Sequence, residues 1–343
     1  MNQLLEQHLR SQGARIESGD VLDFGAPKDE LATAMHATVA VPISDAGLVR
    51  ATGADATTFL HSLLTNDVSK LSDGRAQYNG FCSAKGRLLA SFLMWRDGDD
   101  ILLQVSRDIR GGMLKKLGMY VLRSKVKLTD VSGDFSLIGV AGANAGAVSE
   151  MLRIPAAAND MDVVRSEHGF LIRLDVDRFQ LCIAGESGPR IWDQISEVAR
   201  PAGMAVWRWL EIEAGVPWIT AMTQEEFVPQ MVNFDLIGGI SFHKGCYPGQ
   251  EVVARTQYLG RLKRRMVLAH LDSELAPAGG APLYSPDLPD QSCGMVVNAS
   301  PAPGGGHDLL AVIQTSSAEG NAIHLARPDG PRIELRRLPY DVT

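Results

Sequence analysis

The stretch "SFHKGCYPGQEVVAR" (residues 241–255) has Lys244 two positions before Cys246 and Pro248 two positions after it. Proline fits the first turn of a helix, so this order predicts that Cys246 lies just before a helix. The unpaired N–H groups of a helix start, the helix dipole and Lys244 would all favour a thiolate. In the alternative interpretation the segment is only a turn and Cys246 has no chemical role. The spacing alone slightly favours that alternative.

The composition is that of a soluble globular protein long enough for two or three domains, with 343 residues, 45% hydrophobic and 21% charged. The net charge of −7 argues against nucleic-acid binding through overall charge, so any RNA contact would need a local basic patch. No apolar run could span a bilayer, and the polar N-terminus resembles neither a secretory signal nor a transit peptide. We therefore predict a cytoplasmic protein with no membrane partner.

The four cysteines are Cys82, Cys182, Cys246 and Cys293, and no two of them form a C-x-x-C pair. Structural zinc and ferredoxin-type clusters draw on closely spaced cysteines, so the sequence predicts no resident metal site. A disulfide framework is not expected in a reducing compartment. Most of these cysteines are therefore predicted to be buried and inert.

The pattern of elements predicts an α+β fold with antiparallel or mixed sheets. Up to about residue 205, strands and helices follow one another with hairpins as well as crossovers, which argues against a doubly wound parallel sheet. After residue 261 the chain has short strands broken by Gly and Pro, typical of a small β-barrel or sandwich. We predict α+β domains at residues 1–135 and 136–260, which could interleave, and an all-β domain at residues 261–343.

Two further segments allow both a functional and a structural interpretation. "VWRWLEIEAGVPW" (residues 206–218) sets carboxylates beside aromatic rings, which can hold a planar heterocycle by stacking and paired hydrogen bonds. "QYLGRLKRR" (residues 257–265), together with Arg255, could bind a polyanion. The structural alternatives are an amphipathic helix with a solvated face and a charged edge strand. The residues themselves leave these alternatives open.

"KGCYPGQE" (residues 244–251) resembles the K-G-C-Y-x-G-Q-E signature of the YgfZ group of folate-binding proteins. That group is related to the T-protein, the aminomethyltransferase of the glycine cleavage system. The segment ending "LLTNDV" (residues 63–68) and "IEAGVPW" (residues 212–218) are similar to two further family elements and occur in the family's order. The resemblance covers about residues 35–340.

The resemblance implies a three-domain cloverleaf around a central channel of tetrahydrofolate size. Two domains would be α+β, one of them ferredoxin-like, and the third a C-terminal β-barrel. In T-proteins the glutamate of the E-A-G element holds the pterin, and Glu213 matches it. The cofactor implied is tetrahydrofolate or a derivative, and beside Glu213 we expect it to be bound by Arg208, Tyr247, Gln250, Glu251 and Arg255.

One departure separates this sequence from the T-proteins. T-proteins carry G-G-x-x-D-D after a meander turn, whereas this chain reads "KGRLLASF", with Ala90 and Ser91 at the place of the two aspartates. Without a carboxylate there, methylene transfer to folate lacks its expected proton-handling partner. The sequence therefore favours a YgfZ-type protein, and a folate-dependent aminomethyltransferase is the alternative. Whether the protein is an enzyme at all stays open.

The YgfZ resemblance implies a role in assembling or repairing iron–sulfur clusters in selected enzymes, including a tRNA-modifying one. The implied partners are iron–sulfur client or assembly proteins. We expect Cys246 to be the reactive thiol and Lys244 to assist it. One cysteine cannot hold a cluster alone, and Cys82, just before the basic "SAKGR" turn, is our candidate for a second thiol.

Overall fold

The computed structural model describes residues 1–258, 262–320 and 322–342. The chain divides into two compact units, each made of several separate segments. Unit 1 contains Met1–Thr57, Lys70–Gln77 and Leu93–Trp207. Unit 2 contains Thr58–Ser69, Tyr78–Phe92 and Arg208–Thr343. The predicted domain boundaries at residues 135 and 260 stay a prediction, and residues 260 and 261 lie outside the described residues.

Helices and strands both occur along the whole chain. The helices of the described residues are α1 (Gln3–Ser11), α2 (Pro27–Ala34), α3 (Ala56–His61), α4 (Arg107–Gly118), α5 (Ala147–Met151), α6 (Gly188–Ser196), α7 (Met204–Glu213), α8 (Gln250–Tyr258) and α9 (Thr315–Ala318). The strands are β1 (Arg15–Glu17), β2 (Asp20–Asp23), β3 (Val39–Pro42), β4 (Ala46–Thr52), β5 (Gln77–Cys82), β6 (Leu88–Asp97), β7 (Asp100–Ser106), β8 (Lys127–Asp130), β9 (Phe135–Ala141), β10 (Val163–Ser166), β11 (Gly169–Arg173), β12 (Arg178–Ala184), β13 (Arg200–Pro201), β14 (Arg264–Leu271), β15 (Pro282–Tyr284), β16 (Gly294–Pro301), β17 (His307–Gln314), β18 (Ile323–Leu325) and β19 (Arg332–Arg336).

Unit 1 is built on a mixed sheet with the strand order β10-β11-β12-β9-β3-β13. Its pairs are antiparallel except β13 with β3. Helix α6 carries Ile191, Trp192 and Ile195 on one face, and these side chains pack with Leu5 and Leu9 of α1 in one buried cluster. The spacing of these residues puts them on one side of each helix, so burial of that face fixes both helices to the sheet.

In unit 1, β4 pairs antiparallel with both β7 and β8. Strand β8 pairs only on its β4 side among the described strands, which makes it an edge strand. Helix α4 runs directly from β7 and leads through a turn at residues 119–126 to β8. The segment that joins a helix to this edge is therefore at the periphery of the sheet.

Unit 2 contains a closed barrel with the strand order β14-β17-β16-β15-β18-β19. The long strands β14 and β17 pair antiparallel over their whole length, with Leu268 opposite Leu310. Buried residues such as Leu309, Ala311 and Ile313 fill the interior, and closure leaves no unpaired edge. The α+β class and the C-terminal barrel predicted from the sequence are confirmed. No helix in the described ranges is long and apolar enough to cross a membrane.

Candidate functional site

The loop that carries Cys246 is fastened to residues 64–67, and both segments belong to unit 2. Thr65 Oγ1 donates to the carbonyl oxygen of Gly239 at 2.6 Å, and Asn66 Nδ2 donates to that of Gly238 at 2.6 Å. The backbone N–H of Ser241 donates to the carbonyl oxygen of Thr65 at 3.0 Å. The "LTND" element of the sequence therefore holds the loop by side-chain and main-chain bonds.

Lys244 lies against the end of α3. Its Nζ donates to the carbonyl oxygens of His61, Leu64 and Asn66, the last two at 2.5 and 3.1 Å. An ammonium group has three donors, and all three find acceptors, one at the C-terminal residue of α3, where cations are favoured, and two in the segment after it. Burial lowers the pKa of Lys244 to about 8, and the nearby carboxylate of Asp67 opposes that shift. Lys244 thus fastens the loop, and its assistance to Cys246 stays a prediction.

The local geometry around Cys246 differs from the predicted helix start. Helix α8 begins at Gln250, four positions after Cys246, and Gly249 before it has a φ of +79°. Pro248 therefore lies in a turn and not in the first helical turn, so that part of the prediction is wrong. The physical reason is Gly249, whose left-handed backbone cannot continue a helix. Cys246 is exposed, and the activation of its thiol stays a prediction.

Gly249 is needed at this position because two turns meet backbone to backbone. A Cβ on Gly249 would lie 2.4 Å from the carbonyl oxygen of Ser83 and 2.6 Å from the backbone of Gly86. Gly86, with a φ of +70°, would in turn bring a Cβ within 2.8 Å of Val252. The "SAKGR" turn and the "YPGQ" turn of the sequence are therefore in direct contact, which neither motif indicates by itself.

Cys82 does not supply a second reactive thiol. It is 1% exposed, and burial raises the pKa of its thiol to about 12. A buried thiol held neutral is a poor nucleophile and a poor cluster ligand, so the prediction of Cys82 as the second thiol is wrong. Cys82 instead packs in a buried cluster with Ile212 of α7 and Val253 of α8. That cluster joins residues next to the "SAKGR" turn, in the "IEAGVPW" segment and in the segment that follows Cys246.

Tyr247 is also a packing residue, since it is 6% exposed. Burial, followed by the neighbouring Cys82, raises the pKa of its phenol, and Lys244 Nζ lies 5.2 Å from its ring centroid. On α8, Glu251 and Arg255 are exposed and pair with each other at 2.8 Å. Contacts of these three residues with folate stay a prediction.

His61 is a candidate functional residue that the sequence analysis missed. Its Nδ1 lies 3.1 Å from Asp67 Oδ1, and its Nε2 lies 3.6 Å from the place where a Cβ would stand on Gly245. Asp67 is held in turn by the N–H and hydroxyl of Ser69, at 3.1 and 2.5 Å. The imidazole thus lies beside a carboxylate, with no hydrogen bond from its Nδ1 among the described residues, and faces the residue before Cys246. No motif marks this histidine, because the contact joins residues almost two hundred positions apart.

Glu213 belongs to a polar cluster of α7 and the barrel. Asp308, which is 2% exposed, accepts from Trp209 Nε1 at 2.9 Å and pairs with His270 at 2.7 Å and Arg336 at 3.0 Å. Glu213 Oε1 is 4.0 Å from the same Arg336 nitrogen. It is buried and has no hydrogen-bond partner among the described residues. Burial first, and then the charge of Asp308, raises the pKa of Glu213, while Arg336 opposes the shift.

An unpartnered buried carboxylate oxygen suits a ligand that brings N–H donors, because burying such an oxygen without a donor is costly. The pterin ring of folate has an N–H and an amino group on one edge, so Glu213 fits it. Arg208 is half-buried on the same helix. Glu211 accepts from Trp218 Nε1 at 2.7 Å, and this bond gives it a structural role. Gln250 is half-buried at the first position of α8.

The basic segment at residues 257–265 is only partly described. Arg261 lies outside the described residues. Arg265 forms a bidentate pair with Asp235 at 2.7 and 2.8 Å and is therefore not available to a polyanion. Among the described residues, no group of three or more His, Cys, Asp or Glu side chains is arranged to hold a metal ion.

The segment that contains Ala90 and Ser91 is part of the core. Ala90 and Ser91 are 0% and 2% exposed, and Ser91 Oγ accepts from the N–H of Ile219 at 2.9 Å. This position therefore offers no carboxylate to a ligand.

Comparison with known proteins gives a consistent result. Residues 23–237 match the model of the GCVT N-terminal domain. The tRNA-modifying protein YgfZ of Escherichia coli O127:H6 (strain E2348/69 / EPEC) is 29% identical over 318 residues, 92% of this chain and 97% of that protein. The protein of the same name from Shigella boydii serotype 4 (strain Sb227) is 28% identical over the same shares.

The fold resembles that of the glycine cleavage system aminomethyltransferase T from Bartonella henselae. The TM-score is 0.80 at 17% sequence identity, and the match covers 98% of this chain and 96% of that one. At this identity the likeness shows a shared fold only.

Proposed function

The chain belongs to the family of the GCVT N-terminal domain, and from that premise we propose that it is a folate-binding protein that supports tRNA modification. Its proposed task is to help assemble or repair iron–sulfur clusters in client enzymes. The curated relatives that match it over 92% of its length carry the name tRNA-modifying protein YgfZ, which supports the link to tRNA modification. A client of that kind would place the protein in the cytoplasm.

The observation that carries the folate part is the buried Oε1 of Glu213, which has no hydrogen-bond partner among the described residues and only a 4.0 Å contact with Arg336. Burial and Asp308 both work against its ionised form, so the fold holds the carboxylate at a cost. The N–H edge of a pterin would satisfy Oε1 and lower that cost. Glu213 would thus orient the pterin ring by hydrogen bonds, while folate itself supplies the one-carbon chemistry.

The thiol part rests on Cys246, which is exposed, whereas Cys82, Cys182 and Cys293 are buried. An exposed thiolate can ligate iron or exchange with another thiol, and buried thiols cannot. Cys246 supplies one ligand at most, so a client protein or a small thiol such as glutathione must supply the others. His61, which lies beside Asp67 at 3.1 Å and faces Gly245, is our candidate to accept the thiol proton.

The aminomethyltransferase alternative finds less support. The shared fold is compatible with it, but Ala90 and Ser91 are buried core residues without a carboxylate. Because proton handling at the folate nitrogen needs such a group, we expect no folate-dependent turnover of an aminomethyl donor.

Calorimetry with tetrahydrofolate tests the folate part directly. We expect the wild-type protein to bind, and Glu213→Gln to weaken binding about 10- to 100-fold, since one of two acceptor oxygens becomes a donor. Glu334→Gln is the matched control, because Glu334 is exposed on the same barrel and should leave affinity unchanged. Equal affinity of wild type and Glu213→Gln would remove Glu213 from the site.

The thiol part is tested in cells that lack the endogenous protein. We expect Cys246→Ser and Cys246→Ala to fold normally, since the side chain is exposed, and to lose support of an iron–sulfur tRNA-modifying enzyme. The measured quantity is the modified nucleoside content of total tRNA. Full support by both variants would show that the thiol has no role in this function.

A further inference from the structure

One segment concentrates positive charge in a protein that is negative overall. Residues 107–130, from the start of α4 to the end of β8, contain seven Lys or Arg and two Asp, a surplus of five positive charges. The whole chain has a net charge of −7. A local surplus of this size, opposed to the overall sign, is the pattern expected of a surface for a polyanion.

Two of the seven cations are used inside the unit. Arg107 pairs with Asp20 at 3.1 Å, and Arg110 pairs with Asp130 at 2.9 Å. The other five form no ion pair within the described ranges; they are Lys115, Lys116, Arg123, Lys125 and Lys127. All five lie in the last turn of α4, in the turn after it or at the start of the edge strand β8. Their charges are therefore available to a ligand along one continuous stretch of chain.

An open groove of about 720 Å³ lies within this stretch, lined by Asp55, Tyr120, Leu122, Arg123 and Ser124. Tyr120 is 40% exposed and Leu122 is 88% exposed. Leu122 also has a φ of +42°, a left-handed conformation that costs a branched residue about 1 kcal/mol or more. Packing does not explain an exposed apolar side chain held in this conformation.

The groove is lined by one carboxylate, Asp55, and one cation, Arg123. Asp55 Oδ2 accepts from the backbone N–H of Lys125 at 2.7 Å, so the carboxylate is fixed inside the groove. A phosphate would be repelled by Asp55 and attracted to the cations of the same segment of chain. A planar base with amino groups would be accepted beside Asp55, between the Tyr120 ring and the Arg123 guanidinium.

We propose that this surface, residues 115–127, binds RNA. The phosphates of the backbone contact the five unpaired cations, and one exposed base enters the groove against Tyr120. A membrane would need a larger apolar face, and an acidic protein would not need the groove, so RNA accounts for both the charges and the shape. All residues of this surface belong to unit 1, so the inference is independent of Glu213 and Cys246.

The test is fluorescence anisotropy with a labelled, unmodified tRNA transcript and the full chain, between 50 and 200 mM salt. We expect a triple variant to bind at least tenfold more weakly at the lower salt; it combines Arg123→Gln, Lys125→Gln and Lys127→Gln. They should also reduce the slope of log K against log salt by about 2–3. Tyr120→Ala should weaken binding about 5- to 50-fold with the slope unchanged, because it removes stacking and no charge.

A triple variant with the same charge change is the matched control: Lys28→Gln, Arg327→Gln and Arg337→Gln, all at exposed positions. It should bind as the wild type within about twofold. The proposal is overturned if the wild-type protein does not bind RNA, or if the control variant loses as much affinity as the first triple variant. It is also overturned if the protein binds phosphatidylglycerol vesicles through residues 115–127 but does not bind RNA. If every variant still binds folate, the RNA surface at residues 115–127 and the folate site at Glu213 are tested independently of each other.

Discussion

At the scale of single residues, Glu213 is a carboxylate whose ionisation the fold opposes. Burial and Asp308 raise its pKa, which means that the folded protein holds this proton more firmly than the unfolded chain does. The stability that the group contributes is therefore present below the ordinary pKa of 4.5 and is lost as pH rises through the folded value.

We predict that Glu213→Gln raises the melting temperature of the ligand-free protein at pH 7 to 8. The amide resembles the protonated acid, so the variant avoids the cost of ionisation. The gain over the wild type should shrink as pH falls towards 4.5. Differential scanning fluorimetry at several pH values measures it, with Glu334→Gln as control. A gain in melting temperature that does not change with pH would contradict a raised pKa of Glu213 as its cause.

The three carbonyl oxygens that Lys244 satisfies give a second prediction. Lys244→Met keeps the length of the side chain and leaves those acceptors without a donor, so it should reduce the free energy of unfolding by about 2 kcal/mol. Urea denaturation measures the change, and Lys28→Met at an exposed position should change it by less than about 0.5 kcal/mol. An unchanged stability would mean that water replaces the ammonium group.

The histidine beside the thiol loop gives a third prediction. If His61 accepts the Cys246 proton, His61→Gln should slow alkylation of Cys246 by iodoacetamide roughly tenfold at pH 7. Gln keeps a hydrogen-bonding side chain and cannot take up a proton. His243→Gln is the control, because His243 is exposed in the same loop. Equal rates in the three proteins would leave His61 a purely structural residue.

The sequence allowed Cys246 and Glu213 to be singled out because both lie in short contiguous motifs. It could not indicate His61 or the acceptors of Lys244, because those contacts join residues 61–66 with residues 244 and 245. Cys82 was misjudged for a related reason. Its place before a basic turn is a local feature, whereas its burial depends on helices that lie far away in the sequence.

At the scale of elements, the meeting of two glycine turns sets the position of α8. We predict that Gly249→Ala lowers the free energy of unfolding by about 2–4 kcal/mol, because a Cβ would lie 2.4 Å from the carbonyl oxygen of Ser83 at a φ of +79°. Thermal and urea denaturation measure it.

Gly111→Ala is the matched substitution in the interior of α4, where nothing lies within 4 Å of the added Cβ. It should raise the free energy of unfolding by about 0.5–1 kcal/mol through helix propensity. Equal effects of the two substitutions would mean that the turns do not meet as described.

The same turn explains where the prediction of α8 was wrong. Pro248 suits a first helical turn in general, and no neighbouring residue of the motif argues against that position. The close approach of the "SAKGR" turn makes Gly249 adopt a left-handed conformation, and the helix can begin only after it. A contact between elements therefore overrides the local preference.

At the scale of the whole molecule, local patterns predicted the α+β class and the C-terminal barrel. They did not predict that the chain passes between the two compact units at residues 57, 69, 77, 92 and 207. Hydrophobic periodicity reports which face of an element is buried, and it carries no information on which other element covers that face. Segments from distant parts of the sequence therefore share one unit without a local sign.

The overall fold also does not determine the reaction. A TM-score of 0.80 relates the fold of this chain to that of an aminomethyltransferase, while the segment of Ala90 and Ser91, where we expected a family carboxylate, contains none. The fold provides the scaffold, and individual side chains decide the activity.

The bond between Thr65 and Gly239, 174 positions apart, has a consequence for biosynthesis. A ribosome adding roughly 5–20 residues per second needs about 9–35 s to translate the intervening chain. Until then the nascent polypeptide presents residues 61–67 without the loop that they hold. Cys246 therefore acquires its surroundings only after most of the protein has been made, so a translation product that ends between residues 213 and 246 would contain Glu213 but no thiol centre.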